Sequence, residues 1–212
     1  MANQTYSNAQ LSALEKRFRT NLINSLTGFK SVALIGTQST EGSTNLAIFS
    51  QIIHVGANPP LIGILFRPHT VARHTLENIL ATKHFSINHI RRDFVEKAHH
   101  TSARWEISEF EGTGLTPDYA DDLLAPFVSE ASVKVGLSYV EHHTLRCNET
   151  VFLVGEIQKI ILPEYCVGSD GFIDLVKAET ITCSGLDAYH QVASPVRFAY
   201  AKASQPVVTI DN

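Results

Sequence analysis

Residues 31–90 read SVALIGTQSTEGSTNLAIFSQIIHVGANPPLIGILFRPHTVARHTLENILATKHFSINHI, and the rhythm of this stretch decides the fold class. Val32 to Ile35 is a short apolar run and predicts a buried strand. Gln38-Ser39-Thr40-Glu41-Gly42 predicts a turn. Asn45 to Val55 predicts a second strand, making a hairpin with the first. Asn58-Pro59-Pro60 interrupts the chain, and Leu61 to Phe66 predicts a third strand. Val71, Thr75 and Ile79 then fall at helical spacing beside Leu76 and Leu80. Phe85 to Ile90 returns to extended structure.

Working outward, Asn8 to Leu26 carries Leu11, Leu14, Phe18, Leu22 and Leu26 on one stripe, which predicts an N-terminal helix. Thr27-Gly28 ends it, with Gly28 suited to a left-handed cap. Asp93 is placed to cap a short helix over Phe94, Val95 and Ala98. Thr101 to Asp122 has no clear period and reads as a long surface excursion. Ser132 to Val140, Thr144 to Cys147 and Val151 to Leu162 predict further strands, and Val196 to Ala201 a final one. Gly155 inside a strand predicts a bulge or a close backbone approach. Many short strands with few helices predict a mainly β, antiparallel sheet closed on itself. A doubly wound parallel sheet would need strands alternating with long helices.

Composition narrows the function. The chain has 212 residues, 44% apolar and 18% charged, which suits a globular domain with a buried core. Its longest apolar runs are too short to span a bilayer. The opening Met1-Ala2-Asn3-Gln4-Thr5 does not resemble a secretory signal, so a cytoplasmic location is expected. A net charge of -4, with basic residues scattered apart from Arg91-Arg92, argues against nucleic acid. Cys147, Cys166 and Cys183 are odd in number and lack C-x-x-C spacing, so reduced thiols are expected and a zinc site is not. Adjacent histidines, as in His99-His100 and His142-His143, point in different directions and make no natural metal grip.

Generic catalytic motifs fail. The segment from Gly36 to Thr44 lacks the lysine of a phosphate-binding P-loop and leads into a strand. Gly112-Thr113-Gly114 lacks the third glycine of a dinucleotide fingerprint. No G-x-S-x-G elbow offers a nucleophilic serine. No residue is nominated as catalytic.

In order and spacing, the chain resembles the flavin reductase-like family. The resemblance rests on Val32-Ala33-Leu34-Ile35-Gly36-Thr37, Asn45-Leu46-Ala47-Ile48-Phe49-Ser50, Asn58-Pro59-Pro60-Leu61-Ile62, residues Arg67 to Ile79, and Phe85-Ser86-Ile87-Asn88. Ser108-Glu109-Phe110, Val154-Gly155-Glu156-Ile157 and Gly185-Leu186-Asp187-Ala188-Tyr189-His190 look like later landmarks. Two departures stand out: His74 where the family often has Asp, and Ile48 where it often has Pro. The resemblance implies an FMN-binding split β-barrel of Greek-key type, NAD(P)H as co-substrate, and a homodimer with the flavin near its interface. The implied division is 1–28 as a helical extension, 29–201 as the barrel and 202–212 as a tail.

FMN presents a phosphate dianion and a flat ring. Arg67, Thr70, Arg73 and Thr75 supply cationic and hydroxyl groups around a predicted helix start, where the family binds the flavin phosphate. Read singly, the two arginines are equally surface charges and Thr70 a helix cap; the cluster favours an anion. Asn45, Leu46, Ala47 and Ser50 are the expected ring contacts. Strict alternation separates Ser50 from Asn45 and Ala47, so a bulge or backbone contact must reconcile them. Asn88 and Ile90 are expected to line the pocket. Ser102, Trp105 and Phe110 are expected to lie in a covering excursion, with Tyr189 and His190 at the ring edge. The leading expectation is an NAD(P)H-dependent flavin reductase. The alternatives are an FMN-binding electron carrier or storage module, and a cofactor-free barrel. FAD and riboflavin match the cluster less well than FMN.

Overall fold

The structure, a computed structural model, describes residues 3–71 and 73–210. It opens with helices α1 (Asn8–Ala13) and α2 (Lys16–Ser25). Strands β1 (Lys30–Ser31), β2 (Ala33–Gln38), β3 (Thr44–Phe49), β4 (Ile52–Ala57) and β5 (Pro60–Phe66) follow. Helix α3 (His74–Thr82) leads into β6 (His84–His89). A 3-10 turn over Arg92–Phe94 runs into α4 (Val95–His100), and α5 (Glu109–Thr113) precedes β7 (Pro117–Ala120) and β8 (Leu123–Val128). The long hairpin β9 (Lys134–Thr144) and β10 (Val151–Ile161) comes next. Short strands β11 (Thr182–Ser184), β12 (Ala188–His190), β13 (Arg197–Phe198) and β14 (Thr209–Ile210) complete the chain.

Seven strands form one antiparallel sheet in the order β3-β2-β6-β9-β10-β5-β4. Its two edge strands, β3 and β4, are consecutive in the chain, with only Ser50 and Gln51 between them. Laid flat, seven strands would hold their edges about 29 Å apart, whereas the three steps from Phe49 to Ile52 span at most about 11 Å. The sheet must therefore roll until its edges meet. The expected single strand Asn45 to Val55 is thus two strands broken by a bend. Its first half pairs with β2 and its second with β5. Because β3 and β4 do not pair with each other, the barrel is split along that seam.

Alternation along the strands sorts side chains into two cores. Ala33, Ile35, Phe85, Ile87, Leu137 and Leu153 point to one, and α3 adds Leu76 and Ile79. Val32, Leu34 and Leu46 point to the other, against Phe94, Ala98, Phe110, Leu115 and Cys183. At Gly155 the β9–β10 register shifts and the Phe85 ring lies where a Cβ would sit, so bulge and close approach occur together.

Strand β8, absent from the expected set, crosses β2 and β6. Its Pro126 hides it from a pattern search, since proline removes a ladder donor. The crossing is held by side chains instead. Ser86 Oγ donates to the Pro126 carbonyl, and the Val128 N–H donates to Asn88 Oδ1 at 2.9 Å. Asn88 Nδ2 donates to the Leu34 carbonyl and to Ser86 Oγ. Gly36 leaves room for the Pro126 carbonyl, which a Cβ would overlap.

Other expectations change. The N-terminal helix breaks at Leu14, which is extended, because the Glu15 carboxylate caps a new helix through the Phe18 N–H at 2.9 Å. Neither helix buries a residue fully, and Phe18, Ile23 and Leu26 are exposed. Thr144 to Cys147 is no separate strand, but the end of β9 and its turn. Asp93 caps nothing; it pairs with Arg91 at 2.6 Å. The Thr101 to Asp122 excursion contains α5 and β7 and is anchored by buried Phe110 and Leu115. Of Val196 to Ala201, only Arg197 and Phe198 pair, with β14. The expected 201/202 boundary therefore falls within a hairpin.

Two measurements test this framework. Asn88→Ala leaves the Val128 N–H and the Leu34 carbonyl without these partners in the interior, at a cost of about 3 kcal/mol, or roughly 6–12 °C in Tm. A Tm within about 2 °C of wild type would remove Asn88 from the supports of the fold. His89, half-buried, has its imidazole pKa pushed down to about 4 by desolvation. The unfolded chain binds that proton near pH 6.5, so stability is complete above this value and falls as pH drops towards 4, by up to about 3 kcal/mol. Denaturant titrations across this range should show a shallower acid decline in His89→Asn; parallel curves would refute the assignment.

Candidate functional site

The candidate residues gather along the free edge of β3 and at the opening of α3. The Leu46 N–H points away from β2 and donates to Glu109 Oε2 at 2.9 Å. Nearby, the Thr44 and Ser108 hydroxyls are hydrogen-bonded at 2.7 Å. Helix α5 is thus clipped to the strand. By the alternation of an antiparallel ladder, the Ile48 N–H points outward like that of Leu46, while Asn45 and Ala47 turn their N–H groups to β2. The Leu46 side chain is wholly buried beneath α5, so only its backbone faces outward. Ala47 and Ser50 are half-buried, Ser50 at the bend that reconciles its orientation with the strand. Asn45 is buried and aims its amide at α3: Nδ2 donates to Thr75 Oγ1 at 3.0 Å and to Thr37 Oγ1 at 3.2 Å.

At α3, Arg67 and Thr70 are exposed and Thr75 is buried. Arg73 occupies the cap position, and its own side chain makes no capping hydrogen bond. Its backbone N–H donates to Glu77 Oε1 at 3.0 Å, an oxygen that also meets His69 Nε2 at 2.8 Å. These contacts hold the Glu77 carboxyl below its ordinary range, the Arg73 N–H foremost. Arg73 Nη2 reaches the Pro68 carbonyl at 3.4 Å, but its Nε is buried without a hydrogen-bond partner among the described residues. A buried, unmatched guanidinium N–H is costly unless something is meant to meet it. Thr70 is therefore no helix cap, and the loop leaves cationic and hydroxyl groups facing outward.

Other candidates fall elsewhere. Asn88 spends both amide donors and its carbonyl on the β8 crossing. Ile90 and Phe110 belong to the core beside α4 and α5. Ser102 is exposed, its hydroxyl donating to the His99 carbonyl at 2.7 Å. Trp105 packs edge-on against His100 and donates to that residue's carbonyl at 3.1 Å. Tyr189 bonds His99 Nδ1 at 2.7 Å, and burial pushes its phenol up to about 12. Two clefts, of about 590 and 500 Å³, flank Arg92, Asp93, Ile181 and Gln191; of the expected flavin contacts, Tyr189 and His190 line the smaller one and the others line neither. Among the described residues, no group of three or more His, Cys, Asp or Glu is arranged to hold a metal ion, and no helix is long and apolar enough to cross a membrane.

Sequence reading assigned no role to Glu109 or Glu77. Glu77 has a local signal, an acid in the first turn of a helix. Glu109 has none, because its target N–H lies 63 residues away.

Comparison with known proteins accords with this arrangement. The family model described as "Flavin reductase like domain" matches residues 29–169. An uncharacterized protein of Aquifex aeolicus (strain VF5) is 33% identical over 106 residues, which are 48% of this chain and 54% of that protein, so the match spans about half of it. A crystal structure from Shewanella frigidimarina NCIMB 400, of a candidate flavin reductase with a split barrel domain, is 48% identical with a TM-score of 0.90, covering 94% of this chain and all of that one. Nitrilotriacetate monooxygenase component B from Bacillus cereus shares the fold at 20% identity and a TM-score of 0.78, covering 92% and 98% of the two chains. Flavoredoxin of Desulfovibrio vulgaris (Miyazaki F) does so at 22% and 0.67, covering 84% and 92%. With its split barrel and a family match over most of its length, this chain belongs to the flavin reductase-like domain family.

Proposed function

We propose that this chain binds FMN along the free edge of β3 and acts as an NAD(P)H-dependent flavin oxidoreductase. The observation that carries the reading is the Arg73 guanidinium at the opening of α3, its Nε buried without a hydrogen-bond partner among the described residues. Arg67, Thr70 and Thr75 stand around the same opening. A terminal phosphate dianion fits this set better than the diphosphate bridge of FAD or the bare hydroxyl of riboflavin.

The ring would lie along β3, over Ala47 and towards Ser50, its polar edge read by the outward backbone of Ile48 and the Leu46 carbonyl, the Leu46 N–H being held by Glu109. An edge strand offers unpaired N–H and C=O groups in the spacing a pyrimidine edge can use. Ser102 follows the end of α4, a helix that packs against β3. When bound, FMN would supply a ring nitrogen, N5, able to accept hydride from the nicotinamide. The residues of this chain then hold and orient. Glu109 fixes the β3 edge, and Glu77, ionised at neutral pH, fixes the first turn of α3. Hydride transfer calls for approach to about 3–3.5 Å rather than a proton relay.

A homodimer belongs to the same reading. Phe18, Leu26 and Phe29 near the N-terminus and Val196, Phe198 and Tyr200 near the C-terminus are exposed in the single chain. A second copy would cover such apolar surface. Cys147, Cys166 and Cys183 are all free, in keeping with a reducing, cytoplasmic setting.

FMN-loaded protein, mixed anaerobically with NADH or NADPH, should lose its oxidised-flavin absorbance with at least one of them. Retained FMN with no bleaching by either would favour the electron-carrier alternative. Arg73→Ala should weaken FMN by roughly 10- to 100-fold and riboflavin little, by fluorescence titration. Equal losses for both ligands would move the phosphate away from α3.

A further inference from the structure

Asn45 sits in a buried polar cluster that ties the β2–β3 hairpin to α3. Thr37 and Asn45 face each other across the ladder. Asn45 Nδ2 donates to both Thr37 Oγ1 and Thr75 Oγ1, and Asn78 Nδ2 donates to Thr37 Oγ1 at 3.2 Å. A threonine hydroxyl has one proton and two lone pairs. At Thr75 the Asn45 amide takes a lone pair, so the proton must point elsewhere. Among the described residues, the Thr75 hydroxyl donates to no protein group. Thr75 is 6% exposed and Asn45 8%, so this bond is shielded from water and directional.

We infer that Asn45 is a positioning residue: it acts through Thr75, turning that hydroxyl's proton outward to meet a phosphomonoester at the opening of α3. This rests on the FMN reading and deepens it. It moves Asn45 from the ring end of the site, where the strand pattern put it, to the phosphate end. An amide donor at this position makes the hydroxyl a committed donor. A carboxylate there would accept the proton and turn it inward.

The test is a ligand-selectivity cycle on the purified full-length protein, with FMN and riboflavin as probes and fluorescence quenching as readout. Asn45→Ala should weaken FMN about tenfold and riboflavin less than about twofold. Asn45→Asp, which keeps the side-chain volume, should lose at least as much FMN affinity and guards against a packing effect. Thr75→Val should match Asn45→Ala, and the double variant should be no worse than Thr75→Val alone. On a Thr75→Ser background, which restores a hydroxyl, Asn45→Ala should again cost about tenfold. Equal weakening of both flavins by Asn45→Ala, or losses that multiply in the double variant, would overturn the inference. If wild-type protein takes up neither flavin, the FMN reading itself fails, and this role falls with it.

Discussion

The link between β3 and β4 constrains everything else in this molecule. One chain segment runs along both edges of a seven-stranded sheet, with a bend of two residues between its halves. A sheet so joined cannot stay flat, and its closure creates the inner core of Ile35, Phe85, Leu137 and Leu153. The closure is incomplete, because β3 and β4 meet at the bend but do not pair. The outer backbone of β3 is left exposed, and an exposed strand edge must be blunted or used. Here it is partly blunted by Glu109, which takes the Leu46 N–H, and partly left available from Ile48 onward. The proposed flavin site is thus a by-product of how the barrel closes.

The polar residues divide into two kinds of work. Ser86 and Asn88 replace ladder hydrogen bonds where β8 crosses β2 and β6, and all their main capacities are spent within the protein. Around α3 the accounting is left open: among the described residues, Arg73 Nε is buried without a partner, and the Thr75 hydroxyl accepts but does not donate. Interiors rarely tolerate such surplus. The contrast between a closed network and an open one separates scaffold from candidate site more clearly than residue type does.

How much of this was legible in the sequence depended on range. Strands such as Leu61 to Phe66 and the helix through Thr75 and Ile79 announce themselves by period, because alternation and helical spacing are local. Gly155 announced both its bulge and its crowding. Arg73 and Thr75 were legible as a cluster, being two residues apart at a helix start. Asn88 shows the limit of local reading: its amide looks the same whether it meets a cofactor or Val128, 40 residues away. Strand β8 was hidden by Pro126, whose missing N–H argues against a strand unless side chains take over the bonding.

Local residue patterns sufficed for a mainly β chain with its turns, the helix carrying an arginine and threonine cluster, and the family resemblance. Those features follow from short-range sterics, hydrophobic period and residue chemistry. Folding in three dimensions is what bends Asn45 to Val55 into both edges of the sheet, brings Glu109 to Leu46, and turns Asn45 towards Thr75. Each depends on which surfaces meet once the sheet closes, and contacts between residues far apart in the chain leave no periodic trace to read.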